Sequence, residues 1–186
     1  AIDGYAGSGK TTIGNFIAKH DKGVLSIHLD DLINHWKFRK QIIERLKDKS
    51  KAFEYHWYRY NDLEQLIRAF LGQRKSIKFK TYNYEKNNFG PKQLFDISKK
   101  VLVIDCIFLF HPKHKISGLF HKKIYLDVDL DEADKRRVTR EKKKWGKAYI
   151  PENHPNNWTK YFKKAYRGYI KKYKPQEIAD ISIKIS

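Results

Sequence analysis

Gly4, Tyr5, Ala6, Gly7, Ser8, Gly9, Lys10 and Thr11 read GYAGSGKT, a full match to the phosphate-binding loop pattern GxxxxGK(S/T). Each residue type has a physical reason. Glycines let successive backbone N–H groups turn toward one anion, Lys10 brings a mobile positive charge to the β- and γ-phosphates of a nucleotide, and the Thr11 hydroxyl is a Mg²⁺ ligand. The flanks agree with the pattern: Ala1 to Asp3 read as the end of a buried strand, and Thr12 to His20 (TIGNFIAKH) as the first turns of a helix. The expected nucleotide-binding set is therefore Gly4, Gly7, Ser8, Gly9, Lys10, Thr11 and Thr12. Because the loop opens so close to Ala1, part of the first strand is expected upstream of this numbering.

Outward from the loop, Val24 to Leu29 (VLSIHL) is a short β-rich run that ends on Asp30 and Asp31. In an open parallel sheet the ligand crevice lies beyond the C-terminal strand ends, so these carboxylates are expected to face the phosphate loop. Lys100 to Phe110 (KVLVIDCIFLF) is the most apolar run in the chain and suits a central parallel strand. Asp105 sits inside it, and a carboxylate in such a run asks for a cation. Lys123 to Asp129 and the terminal ISIKIS read as further strands. Between them come a charged helix, about 131–144, and a second helix with Trp158, Tyr161, Phe162, Ala165 and Tyr169 at helical spacing. LEQLIRAFLG is a helix that Asn61 or Asp62 could cap and Gly72 stops. SIKFK (76–80) alternates like an edge strand, with TYNYEKNNFG as the other half of a hairpin. Residues 33–60 mix helical spacing with aromatic runs and give no single reading. Alternating strands and helices predict an α/β sheet with right-handed crossovers.

With 186 residues the chain suits a single domain, 1–186, with a lid insertion at about 131–157. A hydrophobic share of 40% argues against disorder, and a formal charge of +19 predicts anionic partners. A single cysteine, Cys106, allows no intrachain disulfide. With no run of about 18 apolar residues, a cytoplasmic location and no membrane partner are the expectation.

Phosphoryl transfer needs an aligned nucleophile, a metal across the phosphates and positive charge where the transition state spreads its negative charge. Lys10 and Thr11 serve the nucleotide and its Mg²⁺, Asp105 can hold the metal directly or through water, and Asp30 can accept the proton of an attacking hydroxyl. Arg136, Arg137 and Arg140 (RRVTR) supply cationic cover. At i, i+1 and i+4, Arg136 and Arg140 share a helix face while Arg137 points about 100° away. Other readings stay open: Asp30 and Asp31 could cap a helix, and the arginines could be a solvated face.

Taken together, DGYAGSGKTT, HLDDLI, KTYNYEKN, VLVIDCIFLF, YLDVDLDEADKRRVTRE and YKPQEIADISI resemble the uridine kinase family, within the wider group of nicotinamide riboside kinase, pantothenate kinase and phosphoribulokinase. The resemblance covers nearly the whole chain in order. It implies a P-loop α/β/α sandwich with a mainly parallel sheet, ATP and Mg²⁺ as cofactors, and transfer of the γ-phosphate to an alcohol hydroxyl of a nucleoside-like acceptor. It places the general base at Asp30 and the lid at Asp127, Asp129, Arg136, Arg137 and Arg140. The family's acceptor motif resembles YDYxxHxR. Here YNYEKN keeps Tyr82, puts Asn83 for the aspartate and Asn87 for the histidine, so the expected acceptor residues are Asp30, Asp31, Tyr82 and Asn87. The family's Glu-Gly after the third strand is Asp105-Cys106 here.

A second reading is a nucleic-acid-binding P-loop protein, or a polynucleotide 5′-hydroxyl kinase that joins both. KAFEYHWYRY and WTKYFKKAYRGYIKKYK interleave aromatics with lysines, which suits stacking plus phosphate attraction. The same pattern is that of an amphipathic helix packed on its own domain. The acceptor's identity and the oligomeric state are not written in these motifs.

Overall fold

A computed structural model describes residues 1–185. In chain order its strands are β1 (Ile2–Gly4), β2 (Val24–His28), β3 (Ser76–Asn83), β4 (Asn88–Asp96), β5 (Val101–Cys106), β6 (Ile124–Val128) and β7 (Ile181–Ile185). The helices are α1 (Lys10–His20), α2 (Trp36–Arg45), α3 (Ser50–Tyr55), α4 (Tyr60–Leu71), α5 (Leu130–Trp145), α6 (Thr159–Tyr173) and the short α7 (Pro175–Ile178). Five strands form one sheet in the order β2-β5-β1-β6-β7, and every pairing is parallel. β1 lies in the middle, pairing Ile2 with Asp105 on one side and with Ile124 on the other. The loop that follows β1 therefore emerges between two neighbours at the C-terminal edge, where α/β sheets bind ligands.

The core reflects the expected patterns. Ile2, Ile27, Ile104, Tyr125 and Leu126 are buried along the strands, and Phe162, Ala165, Tyr166 and Tyr169 form the buried face of α6. Those aromatics pack inside the fold, which removes them from single-strand stacking and matches the amphipathic reading of that helix. No helix among the described residues is long and apolar enough to cross a membrane.

Several local expectations change. The apolar run leaves the sheet at Cys106, because Phe108 turns with φ 64 and the Phe110 N–H donates to the buried Asp3 carboxylate at 3.1 Å. The hairpin β3–β4 is a separate two-stranded sheet, and TYN belongs to its first strand. α4 starts at Tyr60 without a cap from Asn61 or Asp62; the Asp62 carboxylate instead pairs with Arg59 at 2.5 Å. The stretch without a single reading holds α2 and α3, and the aromatic KAFEY is helical inside α3. Asp129 caps α5 by accepting the Asp131 and Glu132 N–H groups at 3.0 Å each.

Candidate active site

The phosphate loop runs from β1 into α1. Gly9 precedes the helix at φ 92, no described side chain caps it, and none of its first-turn residues is acidic. Its leading N–H groups are therefore available to an anion, with the helix dipole in the same sense. Gly7, Gly9, Lys10, Thr11 and Thr12 line a cavity of about 110 Å³, closed on the far side by Asp30, Asp105, Cys106 and Arg140. The Lys10 ammonium is buried and folded back on the loop, donating to the Gly4 carbonyl at 2.8 Å and the Tyr5 carbonyl at 2.7 Å. Burial pulls its pKa down, and the carboxylates of Asp3, Asp105 and Asp30 oppose that. An ammonium held on loop carbonyls beside unclaimed helix N–H groups suits a polyanion.

Thr11 Oγ1 donates to Asp105 Oδ1 at 3.2 Å. The other Asp105 oxygen meets His28 Nδ1, and His28 Nε2 lies 2.8 Å from Asn15 Oδ1. The hydrogen bond to Asp105 raises the His28 pKa. Sequence reading missed His28 and Asn15, although the strand-end position of His28 beside the central strand was a usable signal. No group of three or more His, Cys, Asp or Glu side chains able to hold a metal occurs among the described residues. That fits Mg²⁺, which binds one or two protein oxygens and completes its shell with phosphates and water. Thr11 Oγ1 and Asp105 Oδ1 are two oxygens brought together beside the loop that could serve in this way.

Asp30 stands at the mouth of this cavity, open to solvent yet ringed by protein. That desolvation pushes its carboxyl above the usual range, with the Lys10 charge opposing. Tyr58, buried, donates to Asp30 Oδ1 at 3.3 Å. Beyond Asp30 opens a second cavity of about 550 Å³, walled by Phe53, Trp57, Tyr84, Trp145, Tyr149 and Trp158. Its volume lies in the range that holds a small organic ligand.

With its loop for polyphosphate, a carboxylate at the edge and an aromatic chamber beyond, the whole chain can be set beside known proteins. The profile of the phosphoribulokinase / uridine kinase family matches residues 1–185. The chain belongs to that family. A uridine kinase of Staphylococcus aureus (strain JH9) is 31% identical over 152 residues, covering 79% of this chain and 70% of that one. Among solved structures, one described as a possible uridine kinase from Bacillus stearothermophilus aligns with TM-score 0.70 at 20% identity, covering 98% of this chain and 85% of that chain. Phosphoribulokinase from Rhodobacter spheroides aligns with TM-score 0.64 at 16% identity over 99% of this chain and 68% of that chain. The protein is an ATP-dependent kinase.

Within this kinase, Lys10, Thr11, Thr12, Asp30, Asp105 and Arg140 come together as expected, and Arg140 lines both cavities. Arg136 does not; its Nε donates to Glu132 at 3.1 Å, one turn back on the same helix. Asp31 is half-buried and lies outside both cavities. Tyr82 and Asn87 are likewise not brought to the cleft. Tyr82 is buried against Tyr84 and Phe89, and its hydroxyl donates to Asn87 Oδ1. Tyr84, two residues on, takes the cavity position and donates its hydroxyl to the Asp30 carbonyl at 3.3 Å. The kinase's Arg39, 4.8 Å from the Trp57 ring centroid, is a further wall residue that the motifs did not single out.

Proposed function

We propose that this kinase transfers the γ-phosphate of ATP to a hydroxyl of a nucleoside or nucleoside-like compound seated in the aromatic cavity. The observation that carries this reading is that Asp30, Tyr58 and Arg140 line both cavities, so a hydroxyl at their junction meets the carboxylate and the phosphate site together. Aromatic walls suit a flat base by stacking. Asp30 takes the hydroxyl proton as the oxygen bonds to the γ-phosphorus and the bond to ADP breaks. Lys10 exchanges its loop carbonyls for phosphate oxygens, and Arg140 covers the charge that spreads over the transferring group. Mg²⁺, held by Thr11 and Asp105, would neutralise charge across the phosphates. Residues 131–157 act as the lid within one kinase domain.

The test is ADP release with uridine, cytidine, nicotinamide riboside, pantothenate and a 5′-hydroxyl oligonucleotide as acceptors. Stimulation by a nucleoside supports the reading. Stimulation by pantothenate or the oligonucleotide alone overturns it.

A further inference from the structure

Beside the larger cavity, which Arg137 and Glu141 help to line, two cations and three carboxylates form a connected network. Arg137 on α5 is 5% exposed and donates from Nε to Asp134 at 3.1 Å, from Nη1 to Glu141 at 3.0 Å and from Nη2 to Glu152 at 2.5 Å. Lys163 on α6 lies 2.6 Å from Asp134 and 2.9 Å from Glu152. Asp134 also accepts from the Tyr5 hydroxyl of the phosphate loop at 3.0 Å. Asp134 and Glu141 sit on the same helix as Arg137, at the i−3 and i+4 positions where such pairs form locally. Glu152 is different. It is the sole acidic residue in the segment 146–158 that joins α5 to α6, and that segment carries two prolines.

The segment's backbone and amide hydrogen bonds are short-range, among them Tyr149 N–H to the Gly146 carbonyl, His154 N–H to the Pro151 carbonyl, and Asn157 Nδ2 to the Ile150 carbonyl. Such a segment opens easily unless a side chain ties it to the body of the fold. Yet it supplies Ala148, Tyr149, Ile150, Asn156, Asn157 and Trp158 to the larger cavity. Glu152 joins it at once to α5 through Arg137 and to α6 through Lys163. Removing the Glu152 carboxylate leaves Arg137 two helical partners, so the change falls on the segment and not on the guanidinium.

We propose that Glu152 is a positioning residue for the acceptor: its bridge to Arg137 and Lys163 holds the segment 146–158 in place and so sets the aromatic wall against which the acceptor packs. This rests on the reading of the larger cavity as the acceptor site. Acceptor affinity therefore depends on Glu152, whereas the phosphate site does not.

The experiment compares wild type with Glu152→Ala and the conservative Glu152→Asp, using uridine as the probe and amide hydrogen exchange as a readout that needs no turnover. In Glu152→Ala, exchange across 147–157 should quicken on the order of tenfold, and the KM for uridine should rise on the order of tenfold, with kcat and ADP affinity changed less than about threefold. Glu152→Asp should recover part of both. Lys163→Met, which removes one of the two cations, should shift exchange and KM in the same direction by less. Unchanged exchange overturns the anchor. Faster exchange with an unchanged KM overturns the link to the acceptor wall. A wild-type protein that turns over no nucleoside removes the acceptor reading itself, and the anchor then stands or falls on exchange alone.

Discussion

Gly7 and Gly9 share a backbone conformation but not an environment, which makes them a matched pair. Both lie in the left-handed region, at φ 91 and 92. A Cβ on Gly7 would come 2.4 Å from the Ala133 carbonyl oxygen and 3.2 Å from its carbon, whereas one on Gly9 meets nothing within 4 Å. Ala133 is fully buried in the first turn of α5, so a backbone group, not a flexible side chain, has to give way. Alanine at either position carries a backbone cost of about 1–2 kcal/mol. Gly7→Ala adds an overpacking cost of about 1–3 kcal/mol. The Gly7 variant should therefore be about 1–3 kcal/mol less stable than the Gly9 variant, a gap of about 2–12 °C in Tm for a domain of this size. Urea and thermal unfolding of both variants, in parallel with wild type, read this directly. Equal destabilisation would refute the reasoning, because it would mean that α5 is not seated on the phosphate loop.

Lys10→Ala should lower turnover by roughly two to three orders of magnitude and weaken nucleotide binding, measured by steady-state kinetics and calorimetry. Arg140→Ala should lower kcat by roughly two orders of magnitude, whereas Arg136→Ala, which pairs with Glu132 on its own helix, should cost less than about fivefold; comparable losses would contradict the placement of Arg140 at the junction. His114 gives a pH prediction. Burial, helped by His111, pushes its imidazole down from 6.5 to about 4, so between those values the unfolded chain binds more protons than the fold. Its stability contribution is present above pH 6.5 and is lost as pH falls through about 4, a change of about 3 kcal/mol at 1.36 kcal/mol per unit. Urea midpoints across that range check it, and His114→Phe, which can keep the stacking on Tyr60, should flatten the slope.

Much of this architecture is legible in short motifs because the physics behind them is local. GYAGSGKT dictates a loop between strand and helix, and the continuous apolar run VLVI, mostly β-branched, suits an inner parallel strand. Asp30 and Asp105 follow from the sheet rule and land at the cleft, whereas Asp31, equally expected there, lies outside both cavities. Residues 33–60 are harder to read. α2 and α3 are short, and α3 stands on tertiary contacts such as that of Phe53 with Phe162, ring centroids 5.8 Å apart, which no local pattern encodes. The acceptor motif misplaces the wall residue for a similar reason. Tyr82 and Tyr84 carry the same chemistry two positions apart, but a register shift between Lys80 and Tyr82 and the turn that follows decide which ring faces the cavity. Around α5, the i−3 and i+4 partners of Arg137 could be read from spacing, while Glu152, fifteen residues on, could not.

Asp30 stands at the junction of the two cavities, and single-turnover phosphate transfer from γ-labelled ATP to uridine by Asp30→Asn and Asp31→Asn tests its role most directly. Asparagine keeps the shape of Asp30 and removes the base, so the transfer rate should fall by roughly two to four orders of magnitude, with uridine and nucleotide affinity little changed. Asp31→Asn, outside both cavities, should retain most of the rate. A larger loss in Asp31→Asn, or a near-normal rate in Asp30→Asn, would contradict the assignment of Asp30 as the base.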